Sequence, residues 1–73
     1  MSKLVKAFAP ASVAILGASD NPHKAGGRPI AFLKRYGFAG RIYPVNPART
    51  HVQGLRAYPG LAALPEVPEL AIV

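Results

Sequence analysis

The chain has 73 residues and no cysteine, so it is about half the length of an ordinary domain and has no disulfide to steady it. A hydrophobic fraction of 51% against 16% charged excludes a disordered segment, and two histidines, His23 and His51, without any cysteine exclude a tetrahedral zinc site built from the usual ligands. The net charge of +6 is uneven: residues 1–56 hold all nine basic residues with Asp20 alone against them, and residues 57–73 carry only Glu66 and Glu69.

A basic front half calls for an anionic partner, a phosphorylated small molecule before a nucleic acid, because the cations are scattered and no recognition helix or aromatic RNA motif interleaves them. No apolar run reaches about 18 residues, and Met1 to Pro10 lacks the apolar stretch of a signal peptide. The expected setting is cytoplasmic, with neither membrane nor nucleic acid as a partner.

Ser12-Val13-Ala14-Ile15-Leu16 is an apolar run between Pro10 and Gly17, the pattern of a parallel strand covered on both faces. Gly17 to Gly27 follows as a glycine-rich, polar loop. Pro29 stands in the first turn of a helix, where a missing N–H is tolerated. Ile30, Leu33 and Tyr36 are expected on its inner face with Phe32 beside them. Gly37 ends this helix in the left-handed conformation, and Phe38 packs back on the last turn.

Arg41-Ile42-Tyr43-Pro44-Val45 reads as the second strand, with a proline that casts its central part out of a complete ladder, and Asn46-Pro47 breaks it. Thr50 to Tyr58 reads as irregular or loosely extended, Gly60 to Leu64 as a short helix, and Pro65 and Pro68 as brackets of a turn. Leu70 to Val73 opens a third strand, and because domains seldom stop in mid-strand the chain is expected to be an N-terminal, truncated piece. The element order is that of an α/β protein, the N-terminal part of a Rossmann-like doubly wound parallel sheet, with residues 1–73 forming one incomplete domain.

The loop that joins the first strand to the first helix is where such folds bind ligands. Gly17, Ala18, Gly26 and Gly27 let a phosphate approach the backbone and the N–H groups at the helix start, Ser19 offers a hydroxyl, and Lys24 and Arg28 offer charge. A purely turn-forming role for the glycines is the competing explanation. The loop is not G-x-G-x-x-G, and the acid that would hold a ribose 2′-hydroxyl is absent after the second strand, which reads Val45-Asn46-Pro47 and then basic Arg49. An arginine there suits a phosphorylated ribose, which leaves NADP and coenzyme A. His23 and His51 lack partners and read as surface residues; Tyr43 and Tyr58 read as packing rather than adenine stacking.

Phe8-Ala9-Pro10, Ser12 to Ser19, Pro22, Lys24, Gly26-Gly27, Gly37-Phe38, Gly40 and Ile42 to Pro47 together resemble the N-terminal CoA-binding domain of NDP-forming acyl-CoA synthetases. The likeness continues through Gly54, Tyr58, Leu61, Leu64-Pro65-Glu66 and Leu70 to Val73. This family includes ADP-forming acetyl-CoA synthetases and relatives of the succinyl-CoA synthetase α subunit, and some members carry an acetyltransferase domain.

The resemblance implies that Gly17 to Gly27 cradles CoA phosphates with Ser19 and Lys24 as polar contacts, that Val45, Asn46 and Pro47 line the adenosine end, and that Arg49 is the basic residue beyond it. Gly60 departs from the family, where a serine commonly caps the short helix. The resemblance further implies CoA or acyl-CoA as ligand and the rest of the synthetase, as domains or subunit, as partner. Acyl-CoA, phosphate and ADP would be interconverted with acid, CoA and ATP through a phosphohistidine, with ATP or ADP bound only in downstream domains. No catalytic or metal-binding residue is assigned to this stretch. A stand-alone CoA-binding or regulatory protein and a fragment of an NADP-dependent oxidoreductase are the alternatives.

Overall fold

A computed structural model describes residues 10–73, so the Phe8-Ala9 part of the resemblance lies outside the described residues. Strand β1, Ser12–Leu16, is followed by helix α1, Arg28–Arg35, and strand β2, Arg41–Val45. The short strands β3, His51–Val52, and β4, Leu55–Arg56, come next, then a 3₁₀ turn at Leu61–Ala63 and strand β5, Leu70–Ile72. Three strands form a parallel sheet in the order β2-β1-β5, pairing Val13 with both Ile42 and Leu70. The chain therefore steps outward from β1 to β2 and returns across β1 to reach β5. That reversal places a crevice at the carboxyl ends of β1 and β5, and the loop after β1 opens there.

The central position of β1 explains its apolar run. Val13 and Ile15 point to one face, where they meet Ile30 of α1, Ala18, Val52 and Ala57; Ala14 points to the other, toward Tyr43 and Val45. Pro44 takes part in β2 after all, opposite Ile15. Its carbonyl accepts from the Tyr58 N–H at 2.9 Å, away from β1, so the N–H that proline lacks belongs to the outer edge and no bond to β1 is lost.

Helix α1 ends as expected. Gly37 has φ of 70°, the Phe38 N–H donates to the Leu33 carbonyl at 2.9 Å, and the Gly37 N–H donates to that of Lys34 at 3.3 Å, the two bonds of a Schellman motif. Its inner face differs from expectation. Ile30 is buried and Leu33 packs on the core, but Phe32 and Tyr36 are 61% and 67% exposed and stack on each other at 4.6 Å. At 3.6 residues per turn, position 36 lies about 120° around the helix from position 30, so Tyr36 cannot share the face of Ile30.

The stretch expected to be irregular contains a hairpin. Gln53 and Gly54 have φ of 50° and 80°, the signs of a type I′ turn, and Val52 at its shoulder is fully buried. The short helix after Gly60 is the 3₁₀ turn, with no side-chain cap.

The two acids of the C-terminal stretch fasten β5 to the starts of the other strands. Glu66 pairs with the Arg41 guanidinium, with Nη2 to Oε1 at 3.0 Å, and also accepts from the Tyr43 hydroxyl. Glu69 Oε1 accepts from the Ala11 N–H at 2.8 Å, while its own N–H donates to the hydroxyl of fully buried Ser12 at 3.1 Å. Hydrogen bonds from Arg41 and then Tyr43 hold the Glu66 carboxyl below its ordinary value of about 4.5, and the bond to Glu66 raises the Tyr43 phenol above about 10.

Stabilisation by Glu66 is thus present above about pH 4.5 and disappears as pH falls through its lowered folded value. That of the Tyr43 phenol is present below about pH 10 and is lost as pH rises through its raised one. Hydrogen-exchange protection of Leu70–Ile72 is expected to be highest between these limits. Glu66→Gln should reduce it at neutral pH and flatten the acid limb, whereas an unchanged acid limb would show that another carboxylate governs it.

Candidate functional site

Seven of the ten residues expected to bind a ligand meet at one open cavity of about 670 Å³: Gly17, Ala18, Ser19, Lys24, Gly26, Asn46 and Arg49, together with Asp20, Asn21 and Ala25. Gly27, Val45 and Pro47 do not line it. Gly27 caps α1 and is buried; Val45 is buried beneath the cavity, where its carbonyl accepts from the Ala18 N–H at 3.2 Å. Pro47 lines a neighbouring cavity of about 500 Å³ with Arg49, Thr50, His51 and Arg56. Arg49 thus stands between two cavities. Arg56, which no motif in the sequence marks, adds a second guanidinium on the far side.

The glycine pair has a packing reason. A Cβ on Gly26 would stand closer than 3.0 Å to the Gly17 carbonyl oxygen, and one on Gly27 would meet that of Asn21 as closely. Such separations do not occur, so the loop can fold over itself only if both residues are glycine. This corrects the expectation that a side chain there would chiefly obstruct a phosphate.

The helix start is also less open than expected. The N–H groups of Gly27 and Arg28 both donate to the Lys24 carbonyl at 2.9 Å, and Pro29 has none. Ser19, Asn21, His23 and Lys24 likewise donate their backbone N–H groups within the loop. Among the described residues, the N–H groups of Asp20, Ala25 and Gly26 have no such acceptor and remain for an anion. The Ser19 hydroxyl oxygen accepts from the Asn21 N–H at 3.1 Å, which leaves its proton to donate outward, and no carboxylate lies within ion-pair distance of Lys24 among the described residues.

Asn46 ties β2 to the loop. Its Nδ2 donates to the Ala18 carbonyl at 2.9 Å and its Oδ1 accepts from the Ala48 N–H at 2.8 Å, a turn that presents Arg49. The Arg49 guanidinium meets Asp20 Oδ2 at 2.7 Å, and Asp20 Oδ1 accepts from the Gln53 N–H at 2.7 Å.

Gln53 is the other residue that the sequence did not signal. Its Nε2 donates to the Ser19 carbonyl at 3.0 Å and to the Gly27 carbonyl at 2.9 Å, at the two ends of the loop, and its own carbonyl accepts from Lys34 Nζ at 2.7 Å. Among the described residues it is the one non-glycine with positive φ, a conformation that costs about 1–2 kcal/mol and persists because these contacts hold it. The cavity therefore offers hydrogen-bond donors and positive charge to an anion.

The CoA binding domain model matches residues 11–73. The chain belongs to the CoA-binding domain family. It is 41% identical over 66 residues to acetate–CoA ligase [ADP-forming] II of Archaeoglobus fulgidus, which covers 90% of this chain and 10% of that protein. It is 44% identical over 64 residues to trans-feruloyl-CoA synthase FCS1 from an unidentified prokaryote, covering 88% of this chain and 9% of that one. Among solved structures, the apo dinucleotide-forming acetyl-coenzyme A synthetase 1 of Ca. Korarchaeum cryptofilum superposes with a TM-score of 0.83 and 37% identity over 96% of this chain and 16% of that one. The chain thus spans about a tenth of the length of these two relatives. The parallel sheet and its first helix match the Rossmann-like CoA-binding domain.

Gln53→Ala and Gln53→Gly both delete two hydrogen bonds to the loop, each worth about 0.5–1.5 kcal/mol. Glycine also relieves the left-handed strain, so Gln53→Gly should be more stable than Gln53→Ala by about 1 kcal/mol. Both variants should raise hydrogen exchange across Ser19 to Gly27. Urea denaturation and exchange on the two variants check this; equal stability would show that Gln53 is unstrained.

Proposed function

We propose that this chain is the CoA grip of an acid–CoA ligase that forms ADP, and that the loop after β1 holds CoA's phosphates while Arg49 meets the 3′-phosphate of its ribose. The observation that carries the reading is the position of Arg49. It leaves the turn after β2 beside the phosphate loop and faces a second cavity lined by Pro47 and Arg56, which leaves room for an adenosine end next to a pyrophosphate end. Ser19, Lys24, Asn46 and the free N–H groups of Asp20, Ala25 and Gly26 supply the donors over the loop. Ligand recognition by such a set is charge-assisted hydrogen bonding to phosphate oxygens, and the thiol end is left to extend out of the crevice between β1 and β5.

Binding and orienting CoA is the whole contribution of these residues. Transfer of the acyl group to the thiol, with ATP or ADP bound elsewhere, belongs to other domains or a subunit of the synthetase, and that assembly is the protein partner we assign. The donor set favours a small phosphorylated ligand over a nucleic acid. No helix among the described residues is long and apolar enough to cross a membrane, in keeping with a cytoplasmic enzyme. An NADP site is the competing reading. It shares the phosphorylated ribose, but the family match favours CoA.

Arg49 is 58% exposed, so its contact with phosphate is partly screened. In the complete protein, CoA should bind more tightly than dephospho-CoA by about tenfold, which is about 1.4 kcal/mol, and Arg49→Ala should erase most of that preference. Titration calorimetry with both ligands on both proteins tests this. A variant that keeps the full preference would assign the phosphate to Lys24 or Arg56, and tighter binding of NADP than of CoA would overturn the ligand.

A further inference from the structure

We propose that Asp20 limits this site's preference for the additional phosphate: its carboxylate holds Arg49 closed in the free protein and gives it up only to a ligand that brings that phosphate. The inference rests on the reading that Arg49 meets the ribose phosphate of CoA.

An acid in a phosphate site calls for an explanation. The chain has three carboxylate side chains, and two of them, Glu66 and Glu69, lie at the opposite ends of the strands, where they fasten β5. Asp20 alone lines the cavity. There, once unpaired, it opposes an anion, and at a distance of a few ångströms this repulsion is comparable with the gain from one surface cation. The charge is fixed in place. Oδ1 accepts from the Gln53 N–H at 2.7 Å, at a turn that the Gln53 side chain anchors to both ends of the loop, and this bond holds the carboxylate at the cavity.

Arg49 is the movable partner. It reaches Asp20 through a single nitrogen, Nη1 to Oδ2 at 2.7 Å, on a side chain that is 58% exposed. An exposed pair of this kind is worth about 0–1 kcal/mol, so it opens readily for a stronger competitor. A phosphate carries more charge than a carboxylate and takes the guanidinium fork in two parallel bonds. A ligand that ends in a plain ribose offers no such competitor and leaves the pair closed. With a ligand that leaves the pair closed, Asp20 stays neutralised by Arg49 and bears little on binding. A ligand whose phosphate draws Arg49 away exposes the carboxylate and binds more weakly than it would without it.

If the carboxylate instead served to position Arg49 for phosphate, its removal would have the opposite sign, and that difference decides the question. Asp20→Asn keeps an oxygen for the Gln53 N–H and removes the charge. In the complete protein, titration calorimetry should show CoA binding about three- to tenfold tighter in Asp20→Asn than in the wild type, with dephospho-CoA changing by less than about twofold. Weaker or unchanged CoA binding in a variant that still binds dephospho-CoA normally would overturn the proposal.

Arg49→Ala measured alongside separates the two levels. If the wild type shows no preference for CoA over dephospho-CoA, the assignment of Arg49 itself fails; if the preference exists and Arg49→Ala erases it while Asp20→Asn leaves CoA binding unimproved, only the role of Asp20 fails. Crystal structures of the wild type with each ligand give a reading that does not depend on the variant folding. The Arg49–Asp20 pair should be closed with dephospho-CoA and open with CoA, and a closed pair in the CoA complex would overturn the proposal.

Discussion

The contact between backbone and backbone at Gly26 and Gly27 is the constraint on which the site depends. Because no Cβ intervenes, the end of the loop lies directly on the carbonyl groups of Gly17 and Asn21, and the Ser19 N–H reaches the Gly26 carbonyl at 3.1 Å. This closure brings Ser19, Lys24 and Gly26 to one side of a cavity although they are spread along the loop. It also consumes most of the loop's own N–H groups and those at the start of α1. What remains for an anion is a small set of donors with fixed positions, a more selective arrangement than an open helix terminus.

The hairpin holds that closed loop against the body of the fold. Val52 buries its side chain in the same core as Val13, Ile15 and Ile30, which fixes the hairpin on the face covered by α1. Gln53, one residue on, then reaches both ends of the loop and receives Lys34 from the helix. Packing energy on one side of the turn is in this way converted into geometric precision on the other. The backbone strain at Gln53 persists because the core contact and four hydrogen bonds agree on one position for it.

Electrostatics divides the molecule along its strands. Glu66 and Glu69 sit at the amino ends, where they join β5 to Arg41, Ala11 and Ser12, and the carboxyl ends carry Lys24, Arg49 and Arg56. The acidic tail seen in the composition is therefore an internal fastening and does not offset the positive charge around the cavity. The exception is Asp20, placed among the cations by the same loop closure that forms the site.

Local chemistry was readable in the sequence wherever a residue's neighbours in the chain decide its conformation. The apolar run of β1, the end of α1 at Gly37 and the break at Asn46-Pro47 are of this kind, since burial on both faces, a left-handed cap and a side-chain turn each have a signature a few residues long. That a glycine-rich loop joins β1 to α1 followed from element order alone. Phe32 and Tyr36 show the limit of residue type as a guide to burial, since helical geometry turns both aromatic rings outward.

The hairpin has no signature in the sequence, because its strands have two residues each, too few for an alternating pattern, and because glutamine gives no sign that it will take a positive φ. Asp20 and Arg49 are 29 positions apart, and Ser19 and Gln53 are 34 apart. Only the tertiary structure decided that these pairs meet, because their distance depends on how β2 and the hairpin pack beside β1. No local preference in the chain encodes that packing.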